Sequence, residues 1–175
     1  MTGSGGLPLL FLDVDGPLIP FGPATGPGGS HPTYSAGPFP PGAGANPLLA
    51  RIDPALGPML AALDCELVWA TTWTHEANEV VAPRLGLPQL RVVLWPEPTA
   101  EDARYERAGL HWKTRPLVGW AAGRAFAWVD DEIGEADRRW VSAHHDGRSL
   151  LHRVDPGRGL TDPDFRLLDA WLRTV

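Results

Sequence analysis

Five short apolar runs, spaced widely enough for helices between them, limit most strongly what this chain can fold into. They are Leu7–Leu12, Glu66–Ala70, Leu90–Trp95, Ala125–Val129 and Ser149–Val154. Each is strand-length and contains Val, Leu or aromatic residues. The first four are mostly continuous rather than alternating, the mark of strands covered on both faces and hence of a parallel sheet. The intervening stretches have helical spacing. Leu48–Leu63 is one, with Pro54 and Pro58 set to break or kink it. His75–Leu85 follows Thr74, a good N-cap residue. Thr114–Ala122 comes next, then Ile133–Ala143, where Ile133, Ala136, Trp140 and Val141 share a face. A last helix opens near Thr161-Asp162-Pro163 and carries an apolar stripe of Phe165, Leu168, Trp171 and Leu172. The pattern predicts an α/β fold with a mostly parallel central sheet and helices on both faces.

The chain of 175 residues suits a single domain spanning 1–175. Its net charge of -6 makes it a poor non-specific binder of nucleic acid or anionic membrane. The lone Cys65 has no partner for an internal disulfide, so nothing points to an oxidising compartment. Leu7–Leu12 is too short to span a bilayer and lacks a basic leader, so the expected location is cytoplasmic, with no membrane partner. The oligomeric state has no signature in the sequence.

One segment breaks the alternation. Pro20–Pro47 is dominated by Gly and Pro and has almost no apolar periodicity, so it reads as a long loop inserted just after the first strand. It is either a surface insertion or a lid rooted beside the first acidic motif. In the second case Phe21, His31, Tyr34 and Phe39 are its candidate contact residues.

The polar residues that carry chemistry follow the strands in a fixed order. The first run leads into Asp13-Val14-Asp15-Gly16, and the second into Thr71-Thr72. Lys113 lies in His111-Trp112-Lys113-Thr114, and the fourth run leads into Asp130-Asp131-Glu132. In an open α/β sheet, ligands bind at the C-terminal edge of the strands. Asp13 and Asp15 share one face of an extended segment, and Gly16 permits a tight turn after them. Gathering Asp13, Asp15, Asp130 and Asp131 in one crevice is costly without a cation. Oxygen ligands with no Cys or His beside them favour Mg2+ over zinc. Lys113 adds positive charge and Thr71 a hydroxyl donor, which together suit a phosphoryl group. Taken singly these residues mean little: a DxDG is often a turn, and a Thr or Asp-Asp at a strand end often caps a helix. Their conjunction is the signal.

That order resembles the four motifs of the haloacid dehalogenase-like (HAD) superfamily, from Leu7 to about Glu132. Val68-Trp69-Ala70-Thr71-Thr72-Trp73, His111-Trp112-Lys113 and Trp128-Val129-Asp130-Asp131-Glu132 look like the small HAD domains related to those of Swiss army knife RNA-repair proteins. The tail Asp155-Pro156-Gly157-Arg158-Gly159-Leu160-Thr161 fits the same subgroup. The resemblance implies a Rossmann-like HAD fold, Mg2+ and an aspartyl-phosphate intermediate. It implies that Asp13 is nucleophile and metal ligand. Asp15 would be acid and then base, with its carbonyl on the metal. Thr71 rather than Thr72, together with Lys113, would hold the phosphoryl oxygens. Asp130 or Asp131 would complete the metal site. Pro17 departs from the family pattern, which has a small polar or aliphatic residue after the Asp-Gly turn. No well-formed cap domain is expected: one insertion point holds the Pro20–Pro47 loop, the other a helix, a strand and a Pro96–Leu110 loop.

The expected activity is a phosphatase acting on a phosphorylated small molecule or a nucleic-acid end. Alternatives are a polynucleotide end phosphatase or phosphotransferase linked to RNA repair, and a catalytically idle HAD-fold binding module. A response-regulator receiver would place its acidic pair first and its phospho-accepting Asp later, so the order disagrees. His75-Glu76-Ala77-Asn78-Glu79 lacks the second His of a zincin. His144-His145 reads as a helix-end pair whose rings point apart. Trp73 and Trp112, each beside a motif residue, are candidates for stacking on substrate.

Overall fold

Five strands form one all-parallel sheet in the order β3-β2-β1-β4-β5. The strands are β1 (Leu9–Leu12), β2 (Glu66–Trp69), β3 (Arg91–Val92), β4 (Phe126–Asp130) and β5 (Ser149–Arg153). The helices are α1 (Leu56–Ala61), α2 (Ala82–Leu85), α3 (Ala100–Arg107), α4 (Thr114–Ala121), α5 (Glu135–His144) and α6 (Asp162–Leu172). The computed structural model describes residues 6–24, 27–35 and 46–175.

The apolar runs form strands because both faces are covered. Leu9, Leu10, Phe11 and Leu12 are all fully buried, and burying each is worth about 1.5–3 kcal/mol. Leu10 and Leu12 belong to a core shared with Trp69, Val129, Leu60 of α1, Leu85 of α2 and Leu168 of α6. Leu9 and Phe11 face the other way, into a core with Val68, Trp128, Leu117 of α4 and Val141 of α5. The sheet is therefore the middle of three layers. From β1 the chain winds outward to β2 and β3, then crosses to β4 on the other side of β1. That reversal puts the topological switch point beyond the C-terminal ends of β1 and β4, the position where doubly wound sheets bind ligands. Leu12 is in register with both Trp69 and Val129, so Asp13, Ala70 and Asp130 stand at one level at this edge of the sheet.

Several elements differ from the sequence expectation. The stretch expected as Leu48–Leu63 is a 3-10 turn at Pro47–Arg51 followed by α1 alone. Pro54 lies in the break, whereas Pro58 sits in the first turn of α1, where its missing N–H costs nothing. In α1, Gly57 is obligatory: a Cβ there would lie 1.7 Å from the Leu85 carbonyl oxygen. The His75–Leu85 helix is a π-helical turn, Ala77–Val81, running into α2. Thr74 does not cap it, because Thr74 has φ of 48° and Glu76 stands at the helix start. Pro83 has no N–H to donate within this helix, and its ring crowds the carbonyl four residues back, which favours a widened turn.

The interval expected as a Pro96–Leu110 loop contains α3, opened by a capping box between Thr99 and Asp102. None of its residues is buried, so it has no apolar stripe to betray it. In α5 the inward face is Asp137 and Val141, and Ile133 precedes the helix. The stripe of α6 stands as expected, with Phe165, Leu168 and Leu172 buried and Trp171 half-buried. His144 stacks on Trp140 at 4.2 Å, while the His145 ring meets the Arg124 carbonyl and Phe126. Among the described residues no separate cap domain stands over the sheet, and no helix is long and apolar enough to cross a membrane.

Candidate active site

Asp13 is the first residue beyond β1, anchored by its own N–H to the Val129 carbonyl at 3.1 Å. The chain then turns sharply: the Gly16 N–H donates to the Ile19 carbonyl, and the Leu18 and Ile19 N–H groups to the Val14 carbonyl. Gly16 has φ of 89°, and a Cβ there would lie 2.7 Å from Asp131 Cγ. Glycine thus permits both the turn and the approach of the second acidic pair to the first. The Asp155–Thr161 tail braces this turn. Leu160 N–H donates to the Pro17 carbonyl at 2.9 Å and Phe21 N–H to the Pro156 carbonyl at 2.8 Å.

Lys113 sits just before α4 and is only 3% exposed. Its Nζ lies 2.6 Å from Asp13 Oδ2 and 2.8 Å from Asp130 Oδ2. Asp13 Oδ1 accepts the Val14 N–H at 2.7 Å. Asp130 is fully buried, and Oδ2 also accepts Trp128 Nε1–H at 3.2 Å while Oδ1 accepts the Glu132 N–H at 3.0 Å. Burial pushes the Asp13 carboxyl up to about 7; Lys113 opposes the rise and Asp130 adds to it. Burial alone would lower Lys113, but Asp13 and Asp130 outweigh it and hold the ammonium above its ordinary value. Asp131 is also raised, by burial and then by Asp130.

Oxygens of Asp13, Asp130 and Asp131 all lie within 4.8 Å of one another, and all three residues are buried. One lysine cannot balance three ionised carboxylates. Of the three, Asp130 is taken up by protein donors, whereas Asp131 closes over Gly16. The donor set is all oxygen, so these residues fit a hard divalent cation such as Mg2+. A second group, His111, Asp130 and Glu132, shares one of the same carboxylates. There His111 Nδ1 accepts the Lys113 N–H at 3.1 Å, which leaves Nε2 to donate to Glu132 at 3.0 Å.

Thr71 follows β2 and is fully buried, whereas Thr72 is exposed. Thr71 Oγ1 accepts the Trp73 N–H at 3.3 Å, leaving its own hydrogen to be donated elsewhere. Asp15 is half-buried, and its Oδ2 accepts Trp73 Nε1–H at 2.9 Å. Asp13, Lys113, Asp130 and Asp131 are thus brought into one cluster, with Asp15 joined to the Thr71 turn through Trp73.

The roles of three residues escaped the sequence reading. Asp137, 1% exposed, accepts the His111 N–H, the Thr114 hydroxyl and the Gly134 N–H, tying the Lys113 segment to the loop after Asp130. The acid three residues beyond Gly134 was the available signal, a helix-start pattern. The Trp128 donation to Asp130 follows from strand alternation, since the two are two residues apart on β4. The Trp73 donation had no local signal. In the inserted loop, His31 meets the Gly22 carbonyl at 3.1 Å and Tyr34 N–H donates to the Ala50 carbonyl at 2.7 Å. Phe21 is 40% exposed, and Phe39 lies outside the described residues.

A family model described as "HAD domain in Swiss Army Knife RNA repair proteins" matches residues 9–165, which include every strand and the whole carboxylate cluster. No curated protein and no solved structure matches the chain.

Proposed function

The chain belongs to the family of HAD domains in Swiss Army Knife RNA repair proteins, and on that premise we propose that it is an Mg2+-dependent phosphomonoester hydrolase with Asp13 as nucleophile. The observation that carries this reading is Lys113, held between Asp13 and Asp130 at the ends of two neighbouring strands. In this reading an Asp13 carboxylate oxygen attacks phosphorus and the bond to the leaving oxygen breaks. Asp15 gives that oxygen its proton. Asp15 then takes a proton from water, whose oxygen attacks the aspartyl-phosphate and releases phosphate and the Asp13 carboxylate. Lys113 and the Thr71 hydroxyl donate to phosphoryl oxygens throughout. Mg2+ would be held by Asp13, Asp131, Asp130 and the Asp15 carbonyl, and its charge would screen the repulsion between carboxylate and phosphate.

Mg2+ with beryllofluoride tests this without knowledge of the substrate. Beryllofluoride bonded to a carboxylate stands in for the aspartyl-phosphate, its fluorides taking the place of phosphoryl oxygens. A ligand that binds only the folded state at a hundredfold excess over its Kd stabilises it by about 2.7 kcal/mol. The wild type is expected to melt higher with both additives, Asp13→Ala to lose the shift, and chelation to abolish it. No wild-type shift at saturation would favour an idle binding module instead.

A specific observation favours a nucleic-acid end as the substrate. Trp112 is 37% exposed, its ring centre lies 5.6 Å from Lys113 Nζ, and it is braced edge-on by Trp95 at 4.8 Å. An exposed indole beside a phosphate-binding lysine suits a planar base, and such stacking is worth about 1–3 kcal/mol. In a panel of phosphorylated substrates with Asp13→Asn as blank, nucleotide ends are expected to exceed sugar phosphates. Trp112→Ala should cut that preference by about tenfold. A preference unchanged by the substitution would remove the stacking role.

A further inference from the structure

Asp15 is asked to do two jobs at one place: to give a proton to the leaving oxygen, then to take one from the incoming water. Both need the same carboxyl oxygen in the same position. A half-buried Asp is not held there by its own chain, because its carboxyl group can rotate and exchange its two oxygens.

The fold supplies a restraint from another strand. Trp73 lies 58 positions along the chain, in the turn beyond β2, and its Nε1–H donates to Asp15 Oδ2 at 2.9 Å. The indole is a donor with no acceptor, so it favours the carboxyl oxygen that does not carry the proton. The ring is fixed at both ends: it packs against the core that holds Leu12 and Leu60, and its backbone N–H binds Thr71 Oγ1. On the other side, a bridge between Asp15 and Ile19 sets the backbone of the acid.

We propose that Trp73 is the positioning residue of the acid–base group: by binding Asp15 Oδ2 it leaves Oδ1 as the oxygen that carries the proton in both half-reactions. This rests on the phosphatase reading above. The same turn thereby sets the Thr71 hydroxyl and the Asp15 carboxyl relative to one another.

Leaving-group dependence separates this role from a merely structural one. An alkyl phosphate such as glycerol phosphate needs its leaving oxygen protonated, whereas 4-nitrophenyl phosphate departs without that help. Trp73→Phe keeps most of the ring packing and removes the N–H. It is expected to lower kcat/KM for glycerol phosphate by about ten- to a hundredfold, within the range of general acid catalysis, and to change that for 4-nitrophenyl phosphate far less. In an Asp15→Asn background, adding Trp73→Phe should cost nothing further on 4-nitrophenyl phosphate. Equal losses on the two substrates, no loss on either, or a further loss in the Asp15→Asn background would each overturn the proposal. If the wild type is active, Asp13-dependent and indifferent to Trp73→Phe, only this proposal fails. A wild type that turns over neither of these substrates nor any nucleotide end overturns the phosphatase reading and this proposal together.

Discussion

Asp13→Asn is expected to lower phosphatase turnover by at least about three orders of magnitude while leaving a protein that melts no lower than the wild type in metal-free buffer at neutral pH. The amide is nearly isosteric, and its oxygen can still accept the Val14 N–H that Asp13 Oδ1 accepts at 2.7 Å. What it cannot do is attack phosphorus as an anion. The stability half of the expectation follows from the environment of the carboxyl. Burial pushes Asp13 up to about 7 even though Lys113 pulls the other way, so the pocket prefers the neutral form to the ionised one. An uncharged side chain of the same shape gives up the Lys113 bond, and its NH2 makes the ammonium draw back, but no second charge is then buried beside Asp130, which Lys113 keeps at 2.8 Å. Single-turnover assays with Mg2+ present, beside thermal melts with chelator, read both halves. A purified variant that keeps more than about 1% of wild-type activity would remove Asp13 from the nucleophile's place.

The residues that make this cluster were legible because they are read along the chain. Each carboxylate follows an apolar run that reads as a buried parallel strand, and a parallel strand delivers whatever follows it to one edge; Lys113, just before α4, was legible only from its place in the motif order. What was not legible was made across the chain. Trp73 meets Asp15 over 58 positions and Asp137 meets His111 over 26, and neither contact leaves a local pattern. Helix α3 was hidden for the opposite reason. It is stabilised by its capping box and by Arg115 reaching Glu101 and Asp102 at 2.9 and 2.5 Å, with no apolar face for periodicity to detect. The division between Asp130 and Asp131 also waited on the fold. Sequence offered two adjacent carboxylates; Asp130 is engaged by Lys113, Trp128 and the Glu132 amide, which leaves Asp131 the freer for a cation.

Lys113→Met should have the largest effect on stability, and the effect should depend on pH. The lysine is the cation within hydrogen-bonding distance of both Asp13 and Asp130, at 3% exposure. Removing one partner of a buried ion pair leaves the other charge uncompensated and costs about 3–5 kcal/mol. That is a large share of the roughly 5–15 kcal/mol that holds a domain together. The pH dependence follows from Asp13, whose carboxyl is raised on folding. The folded state then binds more protons than the unfolded chain, so its contribution is fully present below about pH 4, the unfolded value. In the wild type it is lost as pH rises through about 7. Without Lys113 the main influence opposing burial and Asp130 is gone and only the Val14 N–H still opposes them, so the folded value climbs further and the loss deepens on the alkaline side. Metal-free Lys113→Met is therefore expected to lag the wild type less near pH 5 than near pH 8. Saturating Mg2+ should recover part of the deficit at pH 8, because a dication bound only by the folded state replaces the missing charge. Adding Asp130→Asn should recover more, since it removes one of the stranded carboxylates yet keeps an oxygen for the Trp128 and Glu132 N–H groups. Urea melts of the three proteins at the two pH values, with chelator and with Mg2+, decide the matter. A Lys113→Met protein as stable as the wild type at pH 8 without metal would mean that the carboxylates are not ionised together, and the case for a bound cation would lose its physical basis.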